Sequence, residues 1–110
     1  MNLVVTSALA ILVTGCASTA AEDQCQQTPP RLAELRANVL SFLEADLGAA
    51  FVYYSDETSV TSHIFHSRDG CRIYIVPSDP TDGGTLLHGD GFVYFDHVTL
   101  EPTEFRLIAY

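Results

Sequence analysis

At 110 residues the chain holds one domain at most, and its formal net charge of −9 falls entirely beyond residue 21, since no charged residue precedes Glu22. Arg31, Arg36, Arg68, Arg72 and Arg106 are the only basic residues, Lys is absent, and no basic run forms. Such a field repels phosphate backbones and anionic headgroups, which sets nucleic acid aside as a partner and makes plain solubility the default meaning of the acidic surface.

Residues 3–13 are a nearly unbroken apolar run, followed by Thr14-Gly15-Cys16-Ala17-Ser18. An apolar stretch of this length ending in small residues reads as an export signal and not as part of a fold. The segment Leu12-Val13-Thr14-Gly15-Cys16 resembles the lipobox of bacterial lipoproteins: aliphatic, small, Gly, then Cys. The resemblance implies that residues 1–15 are a cleaved signal peptide and that Cys16 carries diacylglycerol. Residues 16–28 then form a lipidated tether, and the domain occupies residues 29–110. Because Ala17 is not Asp, it also implies an outer-membrane anchor facing the periplasm. The membrane is thus the first expected partner, and two or more acyl chains suffice for stable anchoring at about 0.8 kcal/mol per buried CH₂. Met1-Asn2 departs from the pattern by lacking Lys or Arg. Two other outcomes compete. Cleavage after Ala20 or Ala21 would discard Cys16 and release a secreted or periplasmic soluble protein, and retention of residues 1–21 would leave a stretch just long enough to span a bilayer.

With Cys16 lipidated or removed, Cys25 and Cys71 remain. An even pair in an oxidising compartment predicts a disulfide, and the absence of Cys-x-x-Cys leaves a redox role without support. Closing a loop of roughly 47 residues stabilises by about 4 kcal/mol in the chain-entropy picture, a large share for so small a core.

Thr28-Pro29-Pro30 offers a helix start, with Pro at the first helical position. Leu32, Leu35, Val39, Phe42 and Leu43 then recur at helical spacing, while Arg31, Glu34, Asn38, Ser41 and Glu44 are expected to face water. Gly48 is the natural stop. Beyond it, short β-like runs alternate with turns. Residues 51–54 form one and residues 60–66 and 71–76 form two more, flanking Asp69-Gly70 as a two-residue hairpin turn. Residues 77–84 make a loop rich in Ser, Asp, Pro and Gly. Residues 92–100 and 105–110 flank Pro102-Thr103 as a second hairpin. The predicted architecture is α+β: one N-terminal helix packed on an antiparallel meander of about five strands, strongly curved if the sheet closes over itself. In element order it resembles the cystatin-like folds.

No cofactor motif occurs: Gly-x-Ser-x-Gly, His-Glu-x-x-His and phosphate-binding glycine patterns are all absent. His63 and His66, three apart on a strand, point to opposite faces and make no metal pair. A loop and strand could bring His88, Asp90 and His97 together, which is the basis for an alternative reading as a small envelope enzyme or metal-binding protein. The default for each histidine is an ordinary surface or hydrogen-bonded side chain, and neither a metal nor a catalytic set is assigned.

A count of sheet faces says more. With Asp69-Gly70 as the turn, Ile73 lies opposite His66 and Ile75 opposite Ile64, so Val60, Ile64, Ile73 and Ile75 share one face and Phe65, Tyr74 and Val76 the other. In the last hairpin Val98, Leu100, Phe105 and Leu107 share a face, with Val93, Phe95, Ile108 and Tyr110 behind them. One helix covers one side of such a sheet. The other must be hidden by curling, by loops and tether, or by another molecule. Phe65, Tyr74, Phe95 and Tyr110 are therefore the expected interaction face of a binding module, engaging an envelope partner or a second copy of the chain.

Overall fold

The computed structural model describes residues 24–84 and 86–109, so Cys16, the expected signal peptide, most of the expected tether and Tyr110 lie outside the described residues. Beyond residue 28, among the described residues, one α-helix, α1 (Pro29–Leu47), runs into a 3-10 helix (Gly48–Tyr53). Four strands follow: β1 (Val60–Ser67), β2 (Gly70–Ile75), β3 (Gly91–Phe95) and β4 (Pro102–Leu107). They form an antiparallel meander in the order β1-β2-β3-β4, with β1 and β4 as open edges. The class is α+β, as the sequence predicts, with four strands in place of about five.

α1 begins where expected. Thr28 is extended, Pro29 opens the first turn, and the Thr28 carbonyl accepts the Leu32 N–H at 2.8 Å. It ends at Gly48, whose φ of 57° lets its N–H return to the Glu44 carbonyl. Leu35, Val39 and Leu43 are fully buried, and Leu32, Leu40, Phe42 and Leu47 are packed around them.

The missing strand is residues 51–54. Four apolar residues in a row carry no alternation, so β-branching and aromaticity alone suggested a strand. A 3-10 helix sets residues three apart on one side. Phe51 and Tyr54 accordingly both turn to the core, joined by the Tyr54 N–H to Phe51 carbonyl bond, while Val52 and Tyr53 face outward.

Both hairpin registers differ from expectation, with opposite consequences. In the first, Arg68 and Asp69 are the central pair, Ser67 faces Gly70, and Ile64 faces Ile73 instead of Ile75. A turn centred on Asp69-Gly70 would put Asp69 at positive φ. Moving it one residue back leaves that conformation to Gly70 alone, at φ 118°. The partner of Ile64 shifts by two places, an even slip, so the faces survive: Val60, Ile64, Cys71, Ile73 and Ile75 all point at α1.

The second hairpin slips by an odd number, which exchanges faces. β3 stops at Phe95, where the Asp96 carboxylate accepts the N–H groups of Val98 and Thr99 at 2.8 and 3.0 Å and folds residues 96–101 into the connection. Val93 thus lies directly opposite Phe105, and Phe95 opposite Cys71 and Pro102. Val93 and Phe105, expected on opposite faces, share the helix side. Leu100 belongs to no strand. It sits at φ 64° in the connection and buries its side chain in the core, while its carbonyl accepts the Asn38 amide at 2.9 Å.

Polar residues of α1 do more than face water. Arg31 donates to the carbonyls of His97 and Val98 at 3.0 and 2.9 Å, and Arg36 donates to those of Val60 and Glu57. With Asn38 they fasten the helix to the β3–β4 connection on one side and to the start of β1 on the other. Cys25 and Cys71 are joined by a disulfide, which ties the chain just before α1 to the start of β2. The expected pairing is therefore present.

Candidate interaction surface

The four residues expected to form one working face separate. Phe65 and Tyr74 lie on the side of the sheet away from α1, since Phe65 pairs with Arg72 and Tyr74 with Phe92. Phe95 does not join them. It is 5% exposed and packs in the core among Cys25, Cys71 and Leu100. The cause is the odd slip of the second hairpin. Tyr110 lies outside the described residues.

The face away from the helix is built from Phe65, Arg72, Tyr74, Phe92, Tyr94 and Arg106. Phe65 meets Phe92 edge-on at 5.9 Å between ring centroids, and Tyr74 meets the same ring at 5.5 Å. The Arg72 guanidinium lies 4.0 Å above Phe92 and donates to the Tyr94 hydroxyl at 3.3 Å; Arg106 lies 4.5 Å above the Tyr94 ring. Arg106 is held by Glu104, and by Asp69 at 2.9 Å, hydrogen bonds that push its pKa upward. Arginine stems and planar heads thus roof the aromatic ladder, each such stack contributing about 0.5–1 kcal/mol at an exposed site. Tyr94 beneath this roof is left only 7% exposed, whereas Phe65 at the rim keeps 47%. The second face is closed mainly by the chain's own arginines and not by strand curling; the sheet remains open. In the sequence Arg72 and Arg106 read only as part of the charge balance. The one local trace is on β2, where Arg72 stands two residues before Tyr74; β3 carries no arginine, so the rest of the roof depends on the register.

A different part of the surface remains apolar and open. At the end of the sheet where Ile75, Gly91 and Leu107 meet, a groove of about 350 Å³ opens beside the C-terminal end of α1. Its walls include Leu47, Tyr53, Tyr54, Pro77, Phe105 and Leu107. Tyr54 and Phe105 meet edge-on at 5.6 Å along its base. The Tyr54 hydroxyl donates to the Gly89 carbonyl at 2.5 Å, and burial, with a smaller contribution from the Asp90 carboxylate, raises its pKa, so the phenol stays neutral. Leu107 is 62% exposed and Tyr53 44%, a concentration of apolar area at one pole of a strongly acidic protein.

His88, Asp90 and His97 do not converge. His88 lines this groove, while the Asp90 carboxylate accepts the Tyr74 hydroxyl at 2.5 Å. His97 lies past the other end of β3, in the connection gripped by Arg31. A strand of this length separates its ends by about 3.4 Å per residue, too far for one coordination sphere. Among the described residues no group of three His, Cys, Asp or Glu side chains could hold a metal ion, and no helix is long and apolar enough to cross a membrane.

No protein-family model matches this chain, and neither a curated protein nor a solved structure matches it.

Proposed function

We propose that the chain is a lipid-anchored bacterial envelope protein, joined to the outer membrane through Cys16, that acts as a binding module and not as an enzyme. One observation carries the binding part: the open apolar groove lies at the pole opposite Cys25. The disulfide sits at the start of β2, and the groove lies at the far end of that strand, beside the end of a helix that spans about 28 Å at 1.5 Å per residue. A tether arriving at Cys25 from a membrane therefore presents the groove outward, where an apolar segment of an envelope protein can enter it. Apolar area of this kind, rimmed by polar residues, is what interaction sites use.

Two measurements test the reading. Cys16→Ser should move the protein from the membrane to the soluble fraction, or leave its precursor uncleaved. A mature chain beginning after Ala20 or Ala21 would overturn the anchor. In intact cells, a photo-crosslinking side chain at Tyr53 should yield a discrete adduct that one at Arg68, exposed in the β1–β2 turn at the opposite pole, does not. Equal yields from both positions would remove the groove from the account.

A further inference from the structure

The two edges of the sheet are finished differently. The backbone of β1 is engaged by the chain itself: Gln26 donates to the Ile64 carbonyl at 2.9 Å, Arg36 donates to the Val60 carbonyl at 2.9 Å, and a bulge interrupts the strand between these residues. Such devices keep an edge from adding strands. β4 has none of them over Glu104–Leu107, its irregularity falling at the Pro102 end.

The direction of its free backbone groups follows from one bond. The Ile108 N–H donates to the Asp90 carbonyl at 3.0 Å, so in the alternation of an antiparallel ladder Arg106 and Glu104 also point their backbone groups at β3. Thr103, Phe105 and Leu107 then point theirs away from the sheet, and among the described residues no hydrogen bond to the outward groups of Phe105 or Leu107 is made. Phe105 and Leu107 also line the apolar groove.

We propose that this edge pairs with the same edge of a second copy, antiparallel and centred on Phe105, joining two meanders into one eight-stranded sheet. Charge selects the register. A two-fold pairing centred on Glu104 or Arg106 sets like charges directly opposite, and one centred on Leu107 leaves both charges without a cross-strand partner. Centred on Phe105, Glu104 of each copy faces Arg106 of the other, closing a ring of four alternating charges with the existing Glu104–Arg106 contact in each chain. On the helix side Phe105 meets its own copy and Leu107 meets Thr103, so the two grooves become continuous. The arrangement is isologous, as closed dimers are. It depends neither on the lipid anchor nor on an occupant of the groove.

Sedimentation of the full chain in detergent tests it, with thermal melts to establish that each variant is folded. The wild-type chain should sediment as a dimer. Glu104→Arg places arginines opposite each other and should weaken association at least tenfold. Leu107→Pro removes an outward N–H without touching the β3 ladder and should do the same. Mixing Glu104→Arg with Arg106→Glu should restore a heterodimer, because every cross-strand pair is again opposite in sign. Should Arg106→Glu fail to fold, the other two variants decide. A monomeric wild-type chain overturns the proposal. So does a dimer indifferent to both Glu104→Arg and Leu107→Pro, or a failure of two folded charge variants to associate.

Discussion

The two faces of this sheet are closed by different physics. Toward α1, Val60, Ile73, Ile75 and Val93 are fully buried beneath Leu35, Val39 and Leu43, and Leu100 is inserted from a loop. Away from α1, Phe92 and Tyr94 are covered by the planar heads of Arg72 and Arg106. Burial against a helix removes whole aliphatic side chains from solvent, at about 1.5–3 kcal/mol each. An arginine roof contributes less per contact but needs no second layer. A sheet with one helix packed on it can therefore have both faces finished, at the cost of leaving the roofed side easier to open.

Substitutions that strip one face at a time break the comparison most sharply. Phe95→Ser, on the helix side, should cost about 3–5 kcal/mol through the cavity it leaves. Phe65→Ser, at the rim of the roofed side, should cost about 1 kcal/mol or less. Urea titration of the pair measures the ratio, and equal losses would mean that the faces are not distinct. Cys71→Ser removes the bridge that holds the start of β2 to the chain before α1, and should lower stability by about 4 kcal/mol, readable as a fall in the unfolding midpoint. Arg72→Ala takes away the stack on Phe92 and the bond to the Tyr94 hydroxyl. A loss of about 1 kcal/mol, with the fold kept, is expected in the same titration.

The smallest expected effect concerns the connection that delivers Leu100 to the core. The N–H groups of Thr99 and then Val98 hold the Asp96 carboxylate below its ordinary pKa. A carboxylate depressed in the folded state stabilises above its unfolded pKa, and that contribution is lost as the pH falls through the folded value. The gap in melting temperature between the wild-type chain and Asp96→Ala should thus be present at neutral pH and shrink in acid. A gap that persists in acid would assign the effect to something other than the carboxylate charge.

What could be read beforehand follows the same division. α1 was legible from its Pro29 start, its aliphatic period and Gly48, because burial on one side of a helix imposes a strict spacing. The Cys25–Cys71 pairing followed from parity and compartment. The first hairpin tolerated a misplaced turn, since a two-residue slip returns every side chain to its face. The second did not, because nothing local in residues 92–105 announces that Asp96 ends the strand, and an odd slip carried Phe95 from the imagined surface into the core. The arginine roof was hidden for another reason. Arg72, Phe92, Tyr94 and Arg106 come from three strands, and their stacking exists only once the register is known.

The claim that the outer face is closed by this chain's own arginines is tested most directly by chemical modification of tyrosine, mapped by mass spectrometry. In the native protein Tyr53, at the groove, should be nitrated readily, while Tyr94, roofed by arginine on the side of the sheet away from α1, should be protected. Replacing Arg72 and Arg106 together with Ala should make Tyr94 reactive without unfolding the domain. Nitration of Tyr94 in the wild-type chain as fast as that of Tyr53, or its continued protection in the folded double variant, would contradict the account.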